Sequence, residues 1–408
     1  MRGSINNFYM SHTKLFLAGP TEVRDEMFQA MSHPMVGHRN KEYQALHESV
    51  VKKLRAFIGT QHEIFIFTSS ATGVMEAAVR NGVRGHTHAS GDPLLAGALA
   101  KRASPASADA SAGRQEGKIL HTVCGAFSER WAGISRACNK VVETVEVPFG
   151  KAITPELLAE KLRQRQSASS LRESALDAVT LTHNETSTGV MNPLKDLCDT
   201  VKRVQPDAFI FVDAVSSFGG SVITPDEWGI DVLVFGTQKC FALPPGLAFA
   251  VVSPRAMERS AAMEDKGYYF DFVEMKKYAD KNMTPATPAI SLLFGVDAQL
   301  DRMLKEGMEG RAKRHADMAM LVRQWAEGKS NIFSFTAEEG FRSPTVSSFT
   351  AKEGFDVATF RSAVKEKGYA LADGYGQLKG KGFRIGHMGD WHVKDIEELL
   401  KVMDDVIL

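Results

Sequence analysis

Two residues able to take part in covalent cofactor chemistry follow short apolar segments of this sequence. Lys239 comes shortly after the apolar residues 232–235, and Asp213 directly follows residues 209–212. Short apolar runs next to turn residues indicate buried strands, and α/β proteins bind ligands at the ends of such strands. A lysine amine condenses with carbonyl groups, and a carboxylate can pair with the nitrogen of a cofactor ring. The combination favours pyridoxal phosphate chemistry, although a single lysine after a strand is usually a solvated surface charge.

The sequence also offers a site for a phosphate group. Residues 64–67 are strand-like and run into residues 68–73, where small hydroxyl residues precede a helix. Backbone N–H groups at a helix N-terminus, together with the positive end of the helix dipole, bind anions. Ordinary capping of the helix by Ser70 or Thr72 is the alternative interpretation.

Other residues could surround a planar ring. Asp213 could keep a ring nitrogen protonated, which makes the ring an electron sink. Phe127 follows a strand-like segment and could stack on the ring, although core packing is the simpler explanation of Phe127 taken alone. Residues 183–189 follow another strand and offer hydroxyls for a ring oxygen, or else they form a polar turn before a helix.

Two arginines are candidates for binding a substrate. Arg384 lies in a strand-like segment near the C-terminus, and a guanidinium binds a carboxylate through two parallel hydrogen bonds. Arg39, in the turn at residues 37–39, could contact a second anionic group, which would favour aspartate or phosphoserine over alanine. A surface position for Arg384 and an ion pair that fixes the N-terminal segment for Arg39 are the alternatives.

The elements that must position these residues follow an alternating pattern. Between residues 63 and 252, strand-like and helix-like segments alternate, which is typical of βαβ units and predicts a mostly parallel sheet with helices on both faces. After residue 288 the pattern changes to a long helical segment at 290–327, followed by a smaller α+β region. We therefore expect an α/β fold with a seven-stranded type of sheet and a smaller C-terminal α+β domain.

The expected domain organisation has three parts, and one stretch departs from the alternating pattern. The parts are an N-terminal arm at 1–25, a large domain at 26–287, and a connecting helix with the small domain at 288–408. Residues 85–117 are rich in alanine and serine and offer no apolar face, so we expect a surface insertion there. An active-site lid is the functional alternative for this insertion.

Composition excludes several classes of function. The 408 residues contain 49 basic and 49 acidic side chains, so no net charge favours nucleic acid or an acidic membrane surface. The four cysteines form no CxxC pair, which argues against a zinc site and favours reduced thiols in a cytoplasmic protein. No apolar stretch reaches the length of a transmembrane helix, and the N-terminus lacks the apolar core of a signal peptide.

Taken together, the motifs resemble those of class V aminotransferases, in the fold type I superfamily of pyridoxal phosphate enzymes. The sequence is similar to the alanine–glyoxylate and serine–pyruvate aminotransferases within this family. The matching segments span nearly the whole chain and comprise residues 18–21, 37–39, 69–72, 182–190, 212–217, 236–239 and 384–386.

The resemblance implies a role for each matching residue. Lys239 would form the Schiff base with the cofactor, and Asp213 would pair with its ring nitrogen. Arg384 would bind the substrate α-carboxylate, at a site predicted to include Gly19 and Arg39. The remaining cofactor contacts are implied for the phosphate at Ser70, Ala71, Thr72 and Gln238, and for the ring at Phe127, Thr186 and Val215.

The resemblance also implies a homodimer with shared active sites. Residues 283–288 fall where the partner subunit of such enzymes contributes a phosphate contact, and either Thr284 or Thr287 could supply it. No nucleic acid or membrane partner is expected.

The predicted function is transfer of an amino group through a Lys239 Schiff base. Alanine, serine or aspartate would be the donor, and glyoxylate, pyruvate or 2-oxoglutarate the acceptor, with Lys239 also acting as the general base. An aspartate or phosphoserine type of aminotransferase, or a lyase of the same fold, is the alternative. Cysteine desulfurases are disfavoured because no cysteine follows Cys240, and a non-catalytic binding subunit would have no need of Lys239, Asp213 and Arg384 together.

Overall fold

The computed structural model describes residues 12–85, 117–168 and 175–407. The predicted surface insertion at 85–117 lies outside the described residues, except for its two end residues. Residues 1–11 of the expected N-terminal arm also lie outside them.

Two sets of elements build the described chain. The strands, in chain order, are β1 (Lys14–Phe16), β2 (Glu63–Phe67), β3 (Lys118–Val123), β4 (Val141–Glu146), β5 (Ala178–Thr182), β6 (Asn184–Glu185), β7 (Val190–Met191), β8 (Phe209–Asp213), β9 (Val232–Gly236), β10 (Ala248–Val252), β11 (Phe333–Phe335), β12 (Val346–Ala351), β13 (Tyr369–Asp373) and β14 (Gly382–Gly386). The helices, in chain order, are α1 (Asp25–Met31), α2 (Lys41–Ile58), α3 (Ala71–Gly82), α4 (Ala126–Ala137), α5 (Pro155–Ala168), α6 (Leu194–Val204), α7 (Pro254–Ala261), α8 (Phe272–Ala279), α9 (Ile290–Glu306), α10 (Met308–Glu327), α11 (Val357–Glu366) and α12 (Val393–Ile407).

The large sheet has seven strands in the order β2-β10-β9-β8-β5-β3-β4. β10 runs antiparallel to both of its neighbours, and the other pairs are parallel. The expectation of a mostly parallel seven-stranded sheet is confirmed. Because parallel strands end at the same edge, the residues that follow β3, β5, β8 and β9 meet there, and Thr182 pairs directly with Asp213.

Both faces of this sheet are buried under helices. In β8, Ile210 and Val212 pack into the core that contains α2 and α6, whereas Phe209 and Phe211 pack into the core that contains α3 and α4. Successive side chains of a strand point to opposite faces, so a strand covered on both sides must be apolar throughout. This is why the segment before Asp213 is a continuous apolar run.

The small sheet has the order β1-β13-β14-β12-β11. The N-terminal strand β1 pairs in parallel with β13, and the other pairs are antiparallel. Residues 14–16 are therefore part of the sheet that is otherwise formed by the C-terminal region. The expected domain boundaries at residues 25 and 287 stay a prediction.

The segment at 290–327, predicted as one long helix, forms two helices, α9 and α10. The prediction of a single helix is therefore wrong. Gly307 separates them and has a φ of 76°, in the left-handed region that favours glycine. The periodic apolar pattern continues across this residue, so periodicity alone did not reveal the break. α9 packs on α1 and α2, whereas α10 packs on α12 beside the small sheet.

Candidate functional site

A cavity of about 330 Å³ lies at the edge of the large sheet where its parallel strands end. Its wall includes most of the residues predicted for the site: Gly19, Ser70, Ala71, Thr72, Phe127, Thr186, Asp213, Val215, Gln238, Lys239 and Arg384. The loops after β5, β8 and β9, the N-terminal ends of α3 and α4, the segment after β1 and strand β14 thus converge on one space.

Lys239 lies in the loop after β9, and the segment that follows β1 covers it. The Thr21 hydroxyl donates to the Lys239 carbonyl oxygen at 3.0 Å, and the Lys239 amine donates to the carbonyl oxygen of Ala18. Gly19 has a φ of 97°, and a Cβ atom there would lie 2.5 Å from the Lys239 Nζ. The positive φ favours glycine here, and any larger residue would have to displace the Lys239 side chain.

The surroundings of Lys239 favour its neutral amine. Burial, with a smaller contribution from the positive charge of Arg384, lowers the pKa of Lys239 to about 8, while Asp213 opposes the shift. A neutral amine is the form that attacks carbonyl carbon and accepts protons, so a pKa near 8 makes this lysine reactive close to neutral pH.

Asp213 ends strand β8 and is almost completely buried. Its Oδ1 accepts a hydrogen bond from the Val215 N–H at 2.9 Å, and its side chain reaches the cavity wall. Burial, with a smaller contribution from Glu185, raises the pKa of Asp213 to about 7, while the hydrogen bond from Val215 and the charge of Lys239 oppose the shift. A cationic N–H group placed beside this carboxylate would restore its negative charge.

The N-terminus of α3 presents hydrogen-bond donors to the cavity. Ser70 precedes the helix, and its hydroxyl makes no capping hydrogen bond. Among the described residues, no backbone acceptor reaches the N–H groups of Ala71 and Thr72. Free donors at the positive end of a helix are suited to a phosphate group, and Gln238 lines the same cavity.

A buried glutamate fixes the position of Phe127. Glu185 is fully buried and accepts hydrogen bonds from the N–H groups of Phe127 at 3.1 Å and Ser128 at 2.9 Å, and from the Ser187 hydroxyl at 2.7 Å. Its negative charge lies at the N-terminus of α4, where the helix dipole is positive. The sequence motif contained Glu185, but the pattern gave no sign of this function.

Arg384 lies on β14, on the side of the cavity formed by the small sheet. It donates from Nε to the Asp373 carbonyl oxygen at 2.9 Å and from Nη1 to the Thr186 carbonyl oxygen at 3.1 Å. Within the described chain, no carboxylate lies within the 4.0 Å distance of an ion pair with this guanidinium. A buried guanidinium without a counter-ion is suited to a carboxylate ligand.

Three predicted residues do not line this cavity. Arg39 donates to the carbonyl oxygens of Thr284 at 2.7 Å and Pro285 at 2.9 Å, so it anchors this loop. Thr284 is buried and its hydroxyl donates to the Ala286 carbonyl oxygen at 2.7 Å, whereas Thr287 is exposed. Their predicted contacts with cofactor and substrate would have to be made with a second subunit.

The cavity wall also contains residues that the sequence did not single out. Among them are Arg130, Tyr375 and Asn184. Arg130 lies three residues after Phe127 on α4, and this spacing could have indicated it because residues i and i+3 share a helix face. Tyr375 lies in a loop between β13 and β14, and no sequence pattern places it near α4.

Two other kinds of site are not found in the described part of the chain. No group of three or more His, Cys, Asp or Glu side chains in residues 12–85, 117–168 and 175–407 is arranged to hold a metal ion. No helix within these ranges combines the length and the apolar character needed to cross a membrane.

Comparisons with known proteins show the family of the chain. Residues 103–377, more than half of the chain, match the family described as aminotransferase class V. An uncharacterized aminotransferase of Methanocaldococcus jannaschii is 36% identical over 335 residues, covering 82% of this chain and 76% of the relative. The small subunit of a soluble hydrogenase of Synechococcus is 31% identical over 393 residues, covering 96% of this chain and 92% of the relative.

A further relative and a solved structure are also aminotransferases. The L-aspartate–glyoxylate aminotransferase of Paracoccus denitrificans is 32% identical over 314 residues, covering 77% of this chain and 70% of the relative. The crystal structure of a subgroup IV aspartate aminotransferase from Thermus thermophilus has a TM-score of 0.80 at 27% identity, covering 96% of this chain and 98% of that chain. The expected fold type I is therefore confirmed, and the chain belongs to the class V aminotransferases, which are pyridoxal-phosphate-dependent enzymes.

Proposed function

We propose that this enzyme transfers the amino group of a small amino acid to a 2-oxo acid such as glyoxylate, with the cofactor bound to Lys239. The observation that supports this most is that one cavity is lined jointly by a weakly basic lysine, a buried aspartate and an arginine without a counter-ion. These are Lys239, Asp213 and Arg384. An amine, a partner for a ring nitrogen and a carboxylate receptor are the groups that amino-group transfer requires.

The remaining wall residues fit the parts of pyridoxal phosphate. The free donors at Ser70, Ala71 and Thr72 would hold its phosphate together with Gln238. Phe127 would lie against the ring. Thr186 and Val215 would make the other ring contacts that the family resemblance implies. When bound, the cofactor supplies an electron sink that stabilises negative charge on the carbon that bears the amino group.

The protein's own contributions are orientation and proton transfer. Arg384 would hold the substrate α-carboxylate and so fix the direction of the Cα–H bond. The Nζ atom of Lys239 would then accept the proton from Cα, which its lowered pKa allows near neutral pH. General base catalysis of this kind is typically worth about 10²–10⁴-fold in rate.

The choice of substrates draws on the relatives. The name of the Paracoccus relative couples aspartate to glyoxylate, which supports glyoxylate as the first acceptor to test. Alanine, serine and aspartate remain the candidate donors, and pyruvate and 2-oxoglutarate the other acceptors. A panel of these donors and acceptors with the purified enzyme would rank them.

We also propose a homodimer in which residues 284–287 of one subunit reach the active site of the other. Three features support it: Thr284 and Thr287 do not line their own cavity, Thr287 is exposed, and Tyr268 and Tyr269 next to this loop are 62% and 42% exposed. Exposed aromatic groups of this size are typical of interfaces. Sedimentation of the holoenzyme would give the oligomeric state.

The proposed role of Lys239 is tested by Lys239→Ala. We expect this variant to lose the visible absorbance of the lysine-bound cofactor and the conversion of amino acids, because no other amine replaces the Nζ atom. Absorption spectra and a single-turnover assay with alanine and aspartate measure both effects. Lys313→Ala, which changes a lysine whose side chain is 75% exposed, is the control and should behave like the unmodified enzyme. Full activity in Lys239→Ala would overturn the assignment.

A further inference from the structure

A second arginine faces the cavity in addition to Arg384. Arg130 lies in α4, three residues after Phe127, and lines the cavity wall. Its guanidinium carbon lies 4.9 Å from the centroid of the Phe127 ring, and its Nη2 donates to the Tyr375 hydroxyl at 2.6 Å. The guanidinium is thus held in place by an aromatic ring and by a phenol oxygen.

The loop that carries Tyr375 is itself fixed against α4. The Tyr375 ring stacks on Phe127 with centroids 5.0 Å apart and an angle of 15° between the planes. A Cβ atom on Gly374 would lie 2.0 Å from the Leu378 carbonyl oxygen, so this turn closes tightly. Tyr375 therefore has a defined position between the two domains, and with it the hydroxyl that holds Arg130.

The charge of Arg130 is not neutralised within the described residues. No carboxylate there lies within 4.0 Å of its guanidinium, and the same holds for Arg384. Arg384 lies at the face of the Tyr375 ring, with its guanidinium carbon 5.5 Å from the centroid, whereas Arg130 lies at the hydroxyl end. The cavity therefore contains two separate guanidinium groups, one at the face of the Tyr375 ring and one at its hydroxyl.

We infer that Arg130 and Tyr375 form a subsite for a second carboxylate, at the end of the substrate opposite to the α-carboxylate held by Arg384. The substrate class is then a dicarboxylic amino acid and its 2-oxo acid, of which aspartate is the smallest common example. This inference rests on the proposed function and specifies its donor.

The donors available at this subsite match a carboxylate. The planar guanidinium presents two parallel N–H groups to carboxylate oxygens. Because the Tyr375 oxygen accepts a hydrogen bond from Arg130, its own O–H remains able to donate to the same ligand. An alanine side chain would use neither donor, so the subsite favours dicarboxylic substrates over alanine.

Arg39, the residue expected from the sequence to bind a second anion, is not in this position. Both of its terminal nitrogens donate to backbone carbonyl oxygens at Thr284 and Pro285. Arg130 instead lies in the same cavity as Lys239 and Arg384.

The test compares aspartate with alanine, using glyoxylate as acceptor and the holoenzyme. We expect Arg130→Met to lower the ratio of kcat/KM for aspartate to that for alanine by about 10–100-fold, the usual effect of losing a charge-assisted hydrogen bond in a binding site. Arg130→Lys should restore part of this ratio, and Tyr375→Phe should lower it several-fold. Arg136→Met, an exposed arginine of the same helix that does not line the cavity, is the matched control and should leave the ratio unchanged.

A binding measurement tests the same subsite without turnover. Succinate carries two carboxylates and butyrate only one, so titration calorimetry of the holoenzyme should give tighter binding of succinate. Arg130→Met should remove this preference and leave the binding of butyrate as it was.

Two results would overturn the inference: an unchanged aspartate-to-alanine ratio in Arg130→Met, or equal binding of succinate and butyrate by the unmodified protein. Failure of the proposed function would look different from failure of this inference. A protein that converts no amino acid but still binds succinate more tightly than butyrate would contradict the proposed function and not the subsite.

Discussion

Burial moves the pKa values of two residues, Lys239 and Asp213, towards neutral pH. Burial lowers the pKa of the lysine to about 8 and raises that of the aspartate to about 7, so both groups change charge close to neutral pH. Groups with such shifted pKa values, gathered in a cleft, are typical of active sites. The seven-stranded sheet brings the lysine loop and the end of β8 together at one edge, where both line the same cavity.

The raised pKa of Asp213 predicts a pH dependence of stability in the cofactor-free protein. Between the ordinary value of 3.8 and about 7, the folded state holds a proton that the unfolded state has released. The contribution of Asp213 to the free energy of unfolding should therefore fall as pH rises from about 4 to 7. Asp213→Asn stays neutral and should lack this contribution, so the difference in stability between this variant and the unmodified protein should change over this pH range.

Urea unfolding at several pH values between 4 and 7 measures this effect. Asp196→Asn, which changes an exposed aspartate, is the control and should keep the pH profile of the unmodified protein. Identical pH profiles for Asp213→Asn and the unmodified protein would contradict the prediction.

Sequence reasoning worked well for residues that end buried strands and poorly for residues whose position depends on loops. Lys239, Asp213 and Phe127 follow apolar segments, and parallel pairing brings such ends together. Arg39 and Thr287 lie away from the cavity of their own chain because turn geometry, which no periodic pattern encodes, decides where they point. Tyr375 could not be predicted for the same reason, because it lies far from α4 in the sequence and comes near it only in the folded chain.

At the scale of elements, the start of α4 depends on one carboxylate. Glu185 receives N–H groups from the first turn of this helix, and so sets the position of Phe127 and, one turn later, of Arg130. Helix dipole and hydrogen bonds act in the same direction here.

Replacing Glu185 by glutamine should destabilise the protein by roughly 1–3 kcal/mol, because an NH₂ group would face N–H donors and leave them unsatisfied. Chemical denaturation at neutral pH measures the loss. Glu129→Gln, in the exposed first turn of the same helix, is the control and should change stability by about 0.5 kcal/mol or less. Equal stability of Glu185→Gln and the unmodified protein would show that this carboxylate does not hold the helix.

Two features of the fold could not be predicted from the sequence. They are the break between α9 and α10 and the pairing of β1 with β13. Gly307 interrupts a helical pattern that is otherwise continuous, and a glycine within a helix does not by itself require a break. β1 is only three residues long and pairs with a strand more than 350 positions later, so local sequence carried no signal for it.

At the scale of the whole molecule, a buried arginine ties the two sheets together next to the active site. Arg311 of α10 donates to the carbonyl oxygens of Gly219 at 3.0 Å and Cys240 at 2.7 Å, and pairs with Asp390 at 3.2 Å. Cys240 directly follows Lys239, and Asp390 follows strand β14. The lysine loop and the arginine strand are therefore braced against a common partner, which fixes the distance between the two sides of the cavity.

The proposed mechanism requires that pyridoxal phosphate bind covalently at position 239, between the two braced sheets. Reduction of the holoenzyme with borohydride, followed by peptide mapping by mass spectrometry, locates the cofactor most directly. We predict one reduced cofactor per chain, on the peptide that contains Lys239. A cofactor found on another lysine, or a purified and active enzyme without any covalent cofactor, would contradict the proposed mechanism.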